Sequence, residues 1–115
     1  MKLVFLYHPV QNIKESLTFY REHLGLVEAW REGDHTVALK LPHSDVQLLI
    51  EDDEQDLRPG GVFQVDSVDE FYQTNKESLT FSKEPVDIPP GRYAIYEDNS
   101  GNLIRIIDFS KEKQG

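Results

Sequence analysis

A short phrase that occurs twice constrains the fold more than any other feature of this chain. Residues 10–15 (VQNIKE) end one apolar run and open a helical pattern, and residues 65–70 (VDSVDE) do the same 55 residues later. In each copy a small polar residue precedes an apolar one, and a glutamate follows three positions after the polar residue, as in a capping box at a helix N-terminus. A repeat of this length predicts two copies of one supersecondary unit. Two such units side by side can enclose a site between them.

The composition is that of an ordinary globular protein. Of the 115 residues, 38% are hydrophobic, 29% are charged and none is cysteine, which excludes disulfides and thiolate metal sites. No apolar stretch approaches the roughly 18 residues of a membrane span. The apolar run at the N-terminus is also shorter than the ~7 residues of a signal-peptide core. We therefore expect one domain, residues 1–115, in the cytoplasm and with no membrane partner.

The chain is strongly acidic. A net charge of −9 argues against nucleic acid as a partner, because binding phosphates requires a basic surface. Much of the acidity falls in residues 51–56 (EDDEQD). A solvated loop is the plain interpretation of such a run, and an acidic rim that attracts a cationic ligand is the alternative.

Hydrophobic periodicity predicts the same order of elements in both halves. The first half has predicted strands at 2–10, 26–31, 36–41 and 46–50, and a helix at 13–24 that ends at Gly25. The second half has predicted strands at 62–65, 79–81, 93–96 and 103–109, and a helix after Ser67. Residues 85–91, with three prolines, are interpreted as an irregular loop, and residues 98–102 as a tight turn.

This order, β-α-β-β-β twice, predicts an α+β fold. Module one spans about 1–56 and module two about 60–110. In each, a helix covers one face of the sheet, and the other face is left for the partner module or a cleft.

Two signatures bracket the chain. The opening one, residues 10–26, combines the valine and asparagine of the first repeat with Ser16, Phe19-Tyr20 and Leu24-Gly25-Leu26. The closing one, residues 98–104 (DNSGNLI), is similar to an Asp-Pro-x-Gly-Asn turn, with Asn99 in place of the proline. Together they resemble the vicinal oxygen chelate superfamily, which includes glyoxalase I, extradiol dioxygenases, fosfomycin-resistance enzymes and bleomycin-binding proteins. The resemblance implies paired βαβββ modules that curve around a ligand cleft, in most members completed in a homodimer and sometimes with exchanged modules.

The resemblance also locates the metal-binding positions of the family. Metal-dependent members have a His or Glu on the first strand, a His on the fifth and a Glu on the last; here these places hold Phe5, Gly60 and Arg105. The fourth ligand position corresponds to Gln47 or Glu51. An aromatic, a glycine and a cation do not form the His and carboxylate set that a divalent ion needs. We therefore expect no metal and no cofactor.

Other side chains are expected to line the cleft. Alternation places Leu103, Arg105, Ile107 and Phe109 on one face of the last strand. The predicted ligand-binding residues share an aromatic or cationic character and are Phe5, Tyr7, Trp30, Arg92 and Arg105. Such a pocket suits a planar group that carries a carboxylate or phosphate. The alternatives are core or dimer packing for Phe5, Tyr7 and Phe109, an interface role for Trp30, and an ion pair for Arg105 with an acid such as Glu51.

Three functions remain open from the sequence. The first is a metal-independent protein that binds a small organic molecule and sequesters a drug or metabolite, with no identified catalytic residue. The second is a glyoxalase-like lyase or dioxygenase with a displaced metal site that uses His8 with Glu51 or Glu97. The third is a protein interaction module whose cleft is filled by side chains.

Overall fold

The computed structural model describes residues 1–53 and 58–112, and these form eight strands and two helices. The first five elements are β1 (Lys2–Pro9), α1 (Ile13–Leu24), β2 (Val27–Glu32), β3 (Thr36–Lys40) and β4 (Gln47–Glu51). The next five are β5 (Gly60–Gln64), α2 (Val68–Asn75), β6 (Thr80–Ile88), β7 (Gly91–Glu97) and β8 (Leu103–Ile107). The predicted α+β order is therefore confirmed. Residues 54–56 of the acidic run lie outside the described residues.

The chain divides into two compact units that have the same internal topology. Module one is Val4–Gly60, and module two is Gly61–Gly115 with Met1–Leu3. In module one the strand order is β2-β3-β4-β1, with β1 parallel to β4 and the other neighbours antiparallel. In module two the order is β6-β7-β8-β5, with β5 parallel to β8 and the other neighbours antiparallel. Each half of the repeated sequence thus forms one βαβββ unit.

The repeated phrase does cap both helices. The Asn12 side chain accepts a hydrogen bond from the Glu15 amide at 3.0 Å, and Ser67 accepts one from the Glu70 amide at 3.1 Å. The return bond of a full capping box, donated by the cap amide to the glutamate carboxylate, is not formed in either copy among the described residues. At the other end of α1, Gly25 takes the left-handed conformation (φ 66°) and its amide bonds the Arg21 carbonyl.

An aspartate directly after the last strand of each module holds the start of that module's helix. Asp52, after β4, accepts a hydrogen bond from the Ile13 amide at 3.0 Å. Asp108, after β8, accepts one from the Val68 amide at 2.8 Å. A negative charge at a helix N-terminus also interacts favourably with the helix dipole. This arrangement ties the start of each helix to the C-terminal end of the last strand of its own module.

Each helix packs on one face of its own sheet. In module one, Ile13 and Leu17 of α1 form a buried cluster with β3 and β4 residues such as Val37 and Ile50. In module two, Val68 clusters with residues of β7 and β8 that include Ala94, Tyr96 and Ile106. Because side chains alternate along a strand, these contacts fix which residues lie on the opposite face.

Two predictions on the second half were wrong. The sixth strand, predicted at 79–81, runs from Thr80 to Ile88. The irregular loop predicted at 85–91 is therefore wrong, because residues 85–88 belong to this strand. Pro85 fits because β6 is an edge strand with register shifts between Phe81 and Lys83 and between Lys83 and Val86, and irregular edge strands tolerate proline. The last strand also ends at Ile107, so Phe109 does not belong to it.

The Asp52 carboxylate also binds the β2–β3 hairpin, and this contact is sensitive to pH. The Nδ1 atom of His35 lies 2.6 Å from Asp52 Oδ1, and the Asp52 amide donates to the His35 carbonyl. The hydrogen bond to Asp52 and its charge raise the pKa of His35. The hydrogen bonds from Ile13 and then His35 lower the pKa of Asp52.

A pH dependence of stability follows from this pair. A raised histidine pKa stabilises the fold below the unfolded-state value of about 6.5, and the stabilisation is lost as pH rises through the folded-state pKa. We expect the urea midpoint to fall over this range in the wild type and to fall less in His35→Gln. Asp52→Asn should move the His35 pKa, measured by NMR titration, downward. An unchanged His35 pKa in Asp52→Asn would contradict the assignment.

Candidate functional site

The face of the module-one sheet opposite α1 carries the predicted aromatic residues. We call it the helix-free face of module one; its side chains include those of Phe5, Tyr7, Trp30, Ala38, Lys40, Gln47 and Leu49. Cross-strand register pairs Phe5 with Gln47 and Gln47 with Lys40 in one row, and Tyr7 with Leu49 and Leu49 with Ala38 in the next. The structure thus brings Phe5, Tyr7 and Trp30 together on one face.

A β-bulge places Trp30 on this face. Glu28 pairs with Leu39 and Trp30 pairs with Ala38, so Ala29 is the extra residue on β2. Without the bulge, regular alternation would put Trp30 on the side of Glu28 and Leu39, which faces α1. With the bulge, Arg31 takes that side instead, and its guanidinium bonds the Glu28 carboxylate at 2.6 Å. The irregularity therefore reverses the direction of the indole.

The indole is held at both ends. Its Nε1 atom donates to Gln47 Oε1 at 3.0 Å. Its ring meets the Phe5 ring edge-to-face, with centroids 5.7 Å apart and an interplanar angle of 77°, a favourable aromatic geometry. Trp30 remains 38% exposed, whereas Phe5 and Tyr7 are buried. The buried Phe5 ring thus helps to fix the accessible Trp30 ring in position.

Arg105 lies on the helix-free face of module two. It alternates with Ile104 and Ile106, which pack on the α2 side, and it pairs with Val62 on β5 and Ile95 on β7. Its side chain is 0% exposed. The structure therefore places the guanidinium in the interior, flanked along its row by two apolar residues.

Arg92 does not share a face with Arg105. It alternates with Tyr93 and lies on the α2 side of β7, where its guanidinium bonds Asp69 and Asp87, each at 3.2 Å, and the Pro85 carbonyl at 3.3 Å. The bond to Asp87, followed by that to Asp69, raises the pKa of Arg92. Its contacts link α2, β6 and β7.

The histidines do not assemble a metal site in the described part of the chain. No group of three or more His, Asp or Glu side chains with suitable spacing occurs among residues 1–53 and 58–112. His8 is exposed, and it pairs with Ile50, whose side chain lies in the α1 cluster. Glu51, the next residue, points to the other face and accepts a bond from Thr36 at 2.9 Å. The structure does not bring His8 and Glu51 together.

The comparisons with known proteins identify the family. The family model of the Glyoxalase/Bleomycin resistance protein/Dioxygenase superfamily matches residues 3–106. The chain belongs to this superfamily, as its two signatures predict. No curated protein matches the chain significantly.

Solved structures show the same fold at low sequence identity. A Legionella pneumophila protein described as an NAD-dependent benzaldehyde dehydrogenase is 17% identical, with a TM-score of 0.74 over 91% of this chain and 97% of the other. A hypothetical protein from Bacillus halodurans C-125 is 23% identical (TM-score 0.69; 99% and 96% covered). A superfamily member from Vibrio splendidus 12B01 is 18% identical (TM-score 0.67; 93% and 97% covered). At these identities the likeness concerns the fold alone.

No helix within the described residues is long and apolar enough to cross a membrane.

Sequence reasoning missed two residues beside Trp30 and one in module two. Gln47 was considered only as a metal ligand and Lys40 not at all, although antiparallel pairing of β3 with β4 sets them side by side. Asp108 was missed because it follows its strand 56 residues after Asp52, one more than the 55-residue offset of the repeated phrase. A search for an aspartate at the end of each module would have found it.

Proposed function

We propose that this protein binds a small organic molecule with a planar group, without a metal ion, and sequesters it rather than transforming it. The observation that carries the proposal is Trp30, an accessible indole that Phe5 and Gln47 hold rigid on the helix-free face of module one. An aromatic surface beside a few fixed polar groups is the usual composition of a small-molecule site. The bulge that aims the indole supports the same interpretation, because bulges often re-aim a side chain at a functional site.

Metal independence is supported by the residues at the family's ligand positions. Phe5, Gly60 and Arg105 offer no His or carboxylate donor there, and a guanidinium repels a divalent cation. Metal analysis of protein purified without chelator tests this part. Stoichiometric zinc, nickel, manganese or iron that is lost on replacing His8 would instead support the displaced-site lyase or dioxygenase. Tyr7, Arg92 and Arg105 remain predictions as ligand-binding residues, and the homodimer remains a prediction that sedimentation equilibrium can test.

Trp30 provides the binding assay, because it is the only tryptophan in the chain. We expect one or more planar compounds to change its fluorescence saturably and to raise the melting temperature, since a ligand specific for the folded state stabilises it. In Trp30→Ala the affinity, measured by calorimetry, should fall about tenfold, which corresponds to a stacking energy of about 1.5 kcal/mol.

The matched control is Phe19→Ala, which removes a 51% exposed aromatic from α1. It should bind like the wild type. Equal losses in both variants, or no saturable binding across a library of planar compounds, would contradict the proposed function.

A further inference from the structure

Two hydrogen-bond donors lie side by side next to the indole. Lys40 on β3 pairs directly with Gln47 on β4, and both side chains are on the helix-free face of module one. The register pairs Trp30 with Ala38, the neighbour of Lys40 on that face of β3. The indole crosses from β2 to reach Gln47 on β4, so it spans the strand that carries Lys40.

The bond from Trp30 sets the direction of the Gln47 amide. Because Gln47 Oε1 accepts the indole N–H at 3.0 Å, the oxygen is turned towards the ring. The amide therefore presents its other end, the NH₂ group with two donors, away from the indole. The ammonium of the exposed Lys40 supplies three more donors in the adjacent position.

The acidic residues on the same face lie in a different row from Lys40 and Gln47. Glu51 accepts a bond from Thr36, and Thr36 pairs with Glu32 at the hairpin end of β2 and β3. These acids occupy the row beyond Trp30 and Ala38, whereas the indole contacts Phe5 and Gln47 in the row that contains Lys40.

We propose that the ligand is a planar aromatic carboxylate, whose ring lies on Trp30 and whose carboxylate is bound by Lys40 and Gln47. This rests on the proposed function and names its ligand class. A carboxylate only accepts hydrogen bonds, so an ammonium and an amide NH₂ match it, and bonds with a charged partner are the stronger ones. A neutral ligand of the same shape gains only ordinary hydrogen bonds from these two groups, and a cationic one is repelled by Lys40.

Three probes of one shape test the proposal: 2-naphthoate, 2-naphthylmethanol and 2-naphthylmethylamine, titrated against Trp30 fluorescence in the full-length protein. We expect 2-naphthoate to bind at least tenfold more tightly than the other two, which corresponds to a charge-assisted bond of about 1.5 kcal/mol or more. Lys40→Met should abolish this preference by weakening the binding of 2-naphthoate, and it should change the affinity for 2-naphthylmethanol much less. The control Lys14→Met removes the same charge from the exposed side of α1 and should keep the preference.

A second variant separates recognition from folding. Gln47→Glu keeps an oxygen acceptor for the indole but removes the NH₂ donors and puts a carboxylate beside Lys40, so it should abolish the preference for 2-naphthoate while the melting temperature stays near that of the wild type. Binding of all three probes with equal affinity, or preference for the amine in the wild type, would overturn the carboxylate proposal and leave the proposed function standing. Failure of all three probes to bind would overturn the carboxylate proposal, whereas the proposed function fails only if the whole library of planar compounds shows no saturable binding.

Discussion

Asp108→Ala is expected to lower the free energy of unfolding by about 3 to 5 kcal/mol, since each buried donor that loses its acceptor costs about 1 to 3 kcal/mol. Asp108 is 2% exposed and accepts bonds from the amides of Val68, Arg92 and Ser110 and from the Ser110 hydroxyl. Removing the carboxylate leaves the start of α2 and the start of β7 without their acceptor. Urea denaturation measures the loss directly.

The pH dependence of stability gives an independent check on Asp108. Burial by itself raises the pKa of Asp108, but the bonds from Val68, Ser110 and Arg92 outweigh it and hold the pKa below its ordinary value. A lowered carboxylate pKa stabilises the fold above the unfolded-state value of about 3.9, and the stabilisation is lost as pH falls through the folded-state pKa. Asp108→Asn should therefore show a weaker loss of stability on acidification than the wild type.

Asp52→Ala is the matched control, because Asp52 holds the start of α1 in the same way but its side chain keeps 13% exposure. Water can replace some of the hydrogen bonds that the Asp52 carboxylate accepts. The loss of unfolding free energy should therefore be smaller in Asp52→Ala than in Asp108→Ala. If the free energy of unfolding of Asp108→Ala lies within about 1 kcal/mol of the wild-type value, which is the size of one ordinary hydrogen bond, the prediction is wrong. The carboxylate would then not hold the starts of α2 and β7 in place.

Gly91→Ala is expected to cost about 3 kcal/mol, at the upper end of typical overpacking penalties. Gly91 is buried, and a Cβ atom there would overlap Oδ1 and the carbonyl oxygen of Asp108 and would lie 2.8 Å from the Ser110 amide. Two of these three atoms are backbone, so they cannot rotate away. Gly91 does not have a positive φ, and the cost therefore arises from space and not from backbone strain.

Gly61→Ala is the control for the second prediction. A Cβ at Gly61 would meet only side-chain atoms, those of Leu3 at 3.0 Å and Phe63 at 3.1 Å, and these can shift. We expect a clearly smaller loss of stability, measured by the same denaturation. Because Gly91 and Asp108 are in contact, the double variant Gly91→Ala with Asp108→Ala should be less destabilised than the sum of its parts. Equal costs for Gly91→Ala and Gly61→Ala would contradict the overlap.

Sequence patterns predict only part of the candidate site. Alternation on β1 places Phe5 and Tyr7 on the helix-free face, and the structure agrees because β1 is regular. The same reasoning cannot place Trp30, because the bulge at Ala29 depends on how β2 pairs with β3. The sequence predicts Arg92 as a ligand-binding residue at the rim of the cleft, and no local pattern indicates the three acceptors on the α2 side that its guanidinium bonds.

The sequence by itself determined the two-module order, the caps at Asn12 and Ser67, the end of α1 at Gly25 and the superfamily, because each of these is carried by short local patterns that can be recognised without any contact between strands. Tertiary structure decided the direction of Trp30, the donor face of Gln47 and the ties made by Asp52 and Asp108. These contacts join residues 17 to 40 positions apart, so they exist only once the strands have paired. No short sequence pattern predicts these contacts. The register in which the strands pair decides which side chains meet.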